Sequence, residues 1–345
     1  QAIKCHQNIR GTSYMSELTN LINKDFIIVD LGAANASDMK RLRRIQNEIT
    51  LIELDFTTES KTEASYYHKR ISLKKAISGS KNKRIFYERE NTAASSFLQP
   101  DVRLLQDYGL QDRYKLISSK EVECITLQDL LSFCNLHRVD FLKTDLEGID
   151  YEVLSSAPAV LQSTLVIQSE LRFQPFFQGE PSLFMVGNYL NNLGFELIYM
   201  VPETWKYRTP RRHLMRDGRL VFADAIFFLS PDRVEEIYKA DAPKAFVKQI
   251  LIASSLGLLN YGEYLYEKIR GNLSSSLINE IDEYVRPTTG TQLGLIRAAN
   301  YLSRLKGGAR FLAWLRETSI AISQSAGVYL SGEHLGPIMP KGGVL

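Results

Sequence analysis

Two apolar runs that end in carboxylates mark where this chain could do chemistry. In Phe26-Ile27-Ile28-Val29-Asp30-Leu31-Gly32-Ala33-Ala34-Asn35, β-favouring residues lead to Asp30 and stop at Gly32. In Val139-Asp140-Phe141-Leu142-Lys143-Thr144-Asp145-Leu146-Glu147-Gly148, a second run stops at Asp145, Glu147 and Gly148. Open α/β sheets bind ligands outside the carboxyl ends of their strands, where the strand order reverses. Two acidic strand ends in one domain therefore predict a cofactor site beside a reaction site.

The turn after Asp30 carries a single glycine, Gly32. A dinucleotide needs several glycines so that the backbone can approach its pyrophosphate. The turn instead suits a cofactor without phosphates, or is an ordinary strand-to-helix connection. Glu53, at the end of the next apolar run, can accept hydrogen bonds from a ribose diol or stand as a solvated strand end. With Asp30 and Gly32, it suggests an adenosyl cofactor. Asp145 can bind an amino group, orient a substrate hydroxyl or cap the following helix, and the cap role fits Glu147 better. Glu170, at the end of another strand, is a candidate base or substrate ligand, or a structural carboxylate; burial would raise its pKa toward neutrality. Ser95 and Ser96 could face the cleft or simply turn a polar loop. His213, beside Arg211 and Arg212, is a loop candidate for substrate contact, against a solvated loop charge. His68, His137 and His213 show no metal spacing, and neither do Cys5, Cys124 and Cys134. No metal is expected.

Strands are expected at 26–31, 49–54, about 71–77, 84–88, 122–125, 139–144, 165–170, 195–200 and 220–229. Helices are expected at 36–46, from about Thr57, at 127–134 and at 182–193. This alternation predicts parallel βαβ units in a doubly wound α/β sheet with right-handed crossovers. After Pro231 the pattern turns almost wholly helical, with breaks at Pro243, Gly271, Pro287 and Gly307-Gly308. The expected organisation is an N-terminal segment (1–25), an α/β domain (26–230), an all-helical domain (231–326) packed as a separate unit, and a flexible tail (327–345).

The 345 residues suffice for a sizeable core, and 44% hydrophobic with 23% charged residues is ordinary for a globular chain. A net charge of +3 gives no argument for nucleic acid. The longest apolar run, 250–259, is broken by Ser254, Ser255 and Gly257 and is too short to span a bilayer. An odd cysteine count argues against a disulfide framework, so the expected location is the cytoplasm.

Taken together, Val29-Asp30-Leu31-Gly32-Ala33-Ala34-Asn35 and Phe141-Leu142-Lys143-Thr144-Asp145-Leu146-Glu147-Gly148 resemble the FkbM-type S-adenosylmethionine-dependent methyltransferases. So do Lys75-Ala76-Ile77-Ser78, Ala94-Ser95-Ser96-Phe97-Leu98-Gln99-Pro100, Ile125-Thr126-Leu127-Gln128-Asp129-Leu130-Leu131, Ile167-Gln168-Ser169-Glu170 and 218–225. The order is consistent over roughly residues 20–230. The resemblance implies a Rossmann-like class I methyltransferase sheet and S-adenosyl-L-methionine as cofactor. It places Asp30, Gly32 and Asn35 at the methionine side, Glu53 at the ribose, Ala76 and Ile77 near the adenine, and Asp145 at the reacting end. Ala36 and Leu54-Asp55 depart from the family's glycine and proline at those points. The expected reaction is O-methylation of a sugar, glycan or secondary metabolite, with the helical domain available for a protein partner or self-association. Two rivals stand beside it: a nicotinamide-dependent oxidoreductase, disfavoured by the lone glycine, and a non-catalytic cofactor-binding scaffold.

Overall fold

The computed structural model describes residues 16–32, 40–56, 67–214 and 218–285. Asn35, the helix expected from Thr57 and the tail from Gly327 lie outside the described residues.

In chain order the strands are β1 (Phe26–Leu31), β2 (Ile49–Leu54), β3 (Lys69–Leu73), β4 (Ala76–Ile77), β5 (Lys83–Arg89), β6 (Leu116–Ile125), β7 (Phe141–Thr144), β8 (Val166–Arg172), β9 (Phe195–Trp205) and β10 (Arg219–Leu229). The helices are α1 (Glu17–Ile22), α2 (Val102–Tyr108), α3 (Leu127–Cys134), α4 (Asp150–Ser155), α5 (Pro158–Leu161), α6 (Leu183–Asn192), α7 (Pro231–Tyr238), α8 (Ala242–Ser255), α9 (Leu259–Ile269) and α10 (Ser275–Val285).

Seven strands form one sheet in the order β3-β2-β1-β7-β8-β10-β9. The first five are mutually parallel, and β10 runs antiparallel to both β8 and β9. β1 and β2 are buried along their whole length, as their largely apolar sequence requires of a sheet covered on both faces. The chain steps outward from β1 through β2 to β3, then returns to β7 on the other side of β1. The crevice between the carboxyl ends of β1 and β7 is thus the switch point of the sheet.

The strand expected over 71–77 is in fact two. β3 edges the large sheet, whereas β4 pairs with β6 in a separate three-stranded sheet, β4-β6-β5. Residues 40–48 form a 3-10 helix in place of the end of the α-helix expected over 36–46. Leu42 and Ile45 are buried there, and a spacing of three puts them on one edge of a three-residue turn. α3 begins with a capping box, in which Thr126 and Asp129 satisfy each other's backbone N–H groups. Pro243, expected as a break, lies in the first turn of α8, where a missing N–H costs no hydrogen bond.

The helices after Pro231 were expected to pack as a unit of their own. Among the described residues they share their core with the sheet. Phe246 and Ile250 of α8, Leu265 of α9 and Ile281 of α10 belong to the same buried cluster as Phe26, Phe141 and Phe228. The physical reason is polar as well as apolar. Gln249 donates its amide N–H groups to the main-chain oxygens of Leu165 and Leu229, at 3.3 and 2.8 Å. Lys248 Nζ lies 2.9 Å from both carboxylate oxygens of Asp140, and both residues are buried. Asp140 also accepts the N–H of Ile27 at 2.7 Å. No described helix is long and apolar enough to cross a membrane.

Candidate active site

Strand register lines up a polar row at the carboxyl edge of the sheet. Ser72, Glu53, Asp30, Lys143 and Gln168 are successive partners across β3, β2, β1, β7 and β8. Asp30 is buried, and Lys143 Nζ lies 3.6 Å from its Oδ1. Burial alone would lower the pKa of Lys143. The carboxylates of Asp30, Asp145 and Asp224 outweigh that effect and raise it, so the amine stays charged.

Glu53 does stand at a buried strand end beside Asp30, and its carboxylate is already engaged. Arg70 grips it with both arms of the guanidinium, Nε to Oε2 at 2.7 Å and Nη2 to Oε1 at 3.0 Å, and the Ser72 hydroxyl adds a bond to Oε2 at 3.0 Å. A carboxylate has about four acceptor positions, so roughly one on Oε1 is left for an outside hydroxyl.

Gly32 follows β1 with φ +87°, a left-handed conformation. Its N–H donates to the main-chain oxygen of Leu54 at 2.9 Å, and a Cβ there would collide with the main-chain oxygen of Asp145. The next residue of that same junction, Asp145, donates its N–H to the main-chain oxygen of Leu31 at 3.0 Å. Gly32 and Asp145, far apart in sequence, therefore meet at the switch point.

Beyond Asp145 the sequence expectation for Glu147 is corrected. Glu147 does not cap α4, whose N-cap is Ile149 and which has no side-chain cap bond. Its backbone is left-handed at φ +49°, uncommon for a residue with a Cβ, and the Ser96 hydroxyl donates to its carbonyl at 2.7 Å. This turn aims the Glu147 carboxylate at Arg172 rather than along the helix, with Nη2 2.8 Å from Oε2. Arg172, buried at the end of β8, also reaches Glu170 at 3.0 Å and Glu180 at 3.5 Å.

Oxygens of Asp145, Glu147 and Glu170 come within 4.8 Å of one another. Such a triad could ligate a metal ion, but the Arg172 guanidinium already supplies positive charge to two of its members. Burial pushes the Glu147 carboxyl up to about 8 against the pull of Arg172, with Asp145, Asp150 and Glu180 adding like-charge repulsion. Burial likewise raises Glu170 well above the ordinary carboxyl range, opposed by Arg172 and reinforced by Glu147. Asp150 rises to about 6 for the same reason. Carboxyl groups tuned toward neutrality beside a guanidinium can exchange a proton with a hydroxyl.

The remaining sequence candidates fall around this centre. Ser96 supports the Glu147 turn, and the Ser95 hydroxyl accepts the N–H of Arg89 at 3.1 Å. Ala76 and Ile77 are buried in β4, paired with Cys124 and Ile125 of β6. The backbone of His213 lies in a 3-10 turn, 212–214, between β9 and β10. Sequence reasoning missed Arg172 and Glu180 and misassigned Glu147. A charged pair two residues apart at a strand end, Glu170 and Arg172, was the available signal.

This mixed α/β fold, with its mostly parallel central sheet and switch-point crevice, is compatible with a Rossmann-like methyltransferase. Residues 30–197 match the model of the methyltransferase FkbM domain. No curated protein matches the chain.

Proposed function

We propose that the chain transfers a methyl group from S-adenosyl-L-methionine to a hydroxyl oxygen of a sugar, glycan or secondary metabolite. The observation that carries this reading is the meeting of Asp145, Glu147 and Glu170 carboxylates within 4.8 Å, beside the Gly32 turn at the switch point. A cofactor site and a proton-accepting site then adjoin, as a direct displacement at carbon requires.

The residues fit an adenosyl cofactor without phosphates. The bare, left-handed Gly32 keeps the β1 and β7 ends in contact, and Asp30 and Asp145 offer negative charge to a cationic methionine end. Glu53 keeps an acceptor position for one ribose hydroxyl, and Ala76 and Ile77 stand for the adenine side. When bound, the cofactor supplies an electrophilic methyl carbon. Asp145 would orient the acceptor hydroxyl, and Glu170 would take its proton as the new carbon–oxygen bond forms, while the thioether left on the cofactor departs with the electron pair of the methyl–sulfur bond. Arg172 contacts Glu147 and Glu170 together, so it holds their geometry and steadies whichever of them is ionised. Ser95 and Ser96 shape the loop over this centre, and His213 belongs to the hairpin beyond it.

Calorimetry with S-adenosylhomocysteine, S-adenosylmethionine and NAD tests the cofactor assignment. Binding of NAD alone would reject methyl transfer. Binding of the adenosyl compounds without product from any hydroxyl acceptor would leave a cofactor-binding scaffold.

A further inference from the structure

We propose that the hairpin joining β9 to β10 recognises a phosphate group on the acceptor, so that the substrate class is a phosphate ester bearing the reacting hydroxyl. This rests on the methyl-transfer reading for the word acceptor, and on the hairpin alone for the phosphate.

The hairpin leaves the sheet at Trp205 and re-enters at Arg219. Between them Arg208, Arg211 and Arg212 are exposed, and none forms an ion pair with a described carboxylate. Arg208 and Arg212 are nonetheless held in place. The N–H of Arg208 donates to the main-chain oxygen of Asp107 at 2.6 Å, and Arg212 Nη1 lies 3.4 Å from that of Tyr108. Gly109, left-handed at φ +70°, ends α2 beneath them. Arg208 Cδ and Arg212 Nη1 lie 3.1 and 3.5 Å from where its Cβ would be. The bare glycine therefore lets two arginine side chains converge over one spot.

Like charges gathered in this way repel, and an anion between them removes that repulsion. The carbonyl end of α2 engages a single N–H of Arg212, leaving most of its fork available, and it gives Arg211 no bond. Guanidinium forks match phosphate oxygens bidentately, which favours phosphate over a less charged group.

The same hairpin is tied to the acidic centre by a run of ring contacts, one stacked and two edge-on. Tyr207 lies on Tyr108, with centroids 5.0 Å apart and planes at 13°, and Tyr108 abuts Trp205 at 5.8 Å. Trp205 meets Phe222 at 6.1 Å, and the Arg172 guanidinium lies 5.8 Å from the Phe222 ring. A rigid aromatic run thus joins the arginines to the carboxylates, fixing the spacing between a phosphate and a reacting hydroxyl.

The test uses the full chain with pyrophosphate as the anion probe, measured by calorimetry at low salt. Pyrophosphate should bind, and the combined R208Q, R211Q and R212Q variant should lose at least about tenfold in affinity. S-adenosylhomocysteine binding should stay unchanged in that variant. If the triple variant does not fold, R211Q alone should show a measurable part of the loss, because its side chain makes no hydrogen bond or ion pair among the described residues. Absent pyrophosphate binding, or binding indifferent to these substitutions, overturns the proposal. Capture of phosphatidylglycerol vesicles through the same arginines without binding of soluble pyrophosphate also overturns it, assigning the patch to a membrane surface. Pyrophosphate binding by a protein that ignores S-adenosylhomocysteine would sustain the anion site and reject the methyl-transfer reading instead.

Discussion

The main-chain oxygen of Asp145 stands where a Cβ on Gly32 would have to go. This contact joins the ends of β1 and β7 and explains why the lone glycine of the turn is where it is. Two penalties coincide at Gly32: a positive φ, and contact with backbone that cannot swing aside. Gly32→Ala should therefore destabilise the fold by at least about 2 kcal/mol and abolish cofactor binding. A variant with normal melting temperature and normal affinity would show that the two strand ends are not in contact.

Glu53 has two roles that separate experimentally. Glu53→Ala should weaken S-adenosylhomocysteine binding by about 1.5–3 kcal/mol, as expected for loss of a charge-assisted acceptor. Arg70→Gln leaves the carboxylate but frees its other oxygen positions, so affinity should fall much less. Equal losses in the two variants would mean that Glu53 acts only by holding β3 to β2.

Asp145→Asn keeps shape and removes charge, and should cost at least about tenfold in turnover, or about 1.4 kcal/mol in the barrier, with little change in melting temperature. Glu147 is no helix cap, so Glu147→Gln should affect rate as well as stability. Turnover should climb with pH as the raised Glu170 carboxyl, the proposed proton acceptor, ionises. A rate unchanged in Asp145→Asn would move the reacting end elsewhere along the sheet edge.

The buried carboxyl groups set a pH dependence of stability with a definite sign. Glu147 and Asp150 have folded pKa values raised to about 8 and about 6, from ordinary values of 4.5 and 3.8. The unfolded chain releases these protons first, so the folded state binds more protons through that interval and loses stability as pH rises. The melting temperature should fall between about pH 5 and about pH 8, and Glu147→Gln should flatten the slope. A slope identical in wild type and variant would show that the Glu147 carboxyl is not raised above its ordinary range.

The Asp140–Lys248 pair predicts how the C-terminal helices matter. Lys248→Met leaves a buried carboxylate without its ammonium and should cost about 3–5 kcal/mol, whereas replacing both with apolar residues should recover much of that. A chain ending at Ser230 should fail to fold, because it exposes the face covered by α8 and strips Asp140 of the same partner. A soluble, cooperatively melting 1–230 fragment would restore the two-unit view.

Strands were the most legible part of the sequence. The bounds of β1, β2 and α3 coincide with those read from largely apolar runs and from Thr126 before a helical pattern. The split of 71–77 was not legible, since pairing partners, not local residues, decide which sheet a strand joins. At the candidate site, Asp30, Asp145 and Glu170 were legible as charges closing apolar runs. Glu147 did not, because its left-handed turn is imposed by Ser96 and Arg172, both distant in sequence. The change of composition at Pro231 was read as a boundary between cores. A buried lysine on α8 carries no local mark of the aspartate it meets.

One strand is anchored at both of its ends by different parts of the chain. Asp140, just before β7, is gripped by Lys248 of α8, while Asp145, just after it, closes the crevice between β1 and β7. The two residues are five apart, a span of about 17 Å in extended chain. β7 therefore works as a short stiff rod: whatever shifts α8 along its seat pushes or pulls on the carboxylate at the far end. The geometry of the crevice between β1 and β7 and the seating of α8 are in this way one mechanical variable.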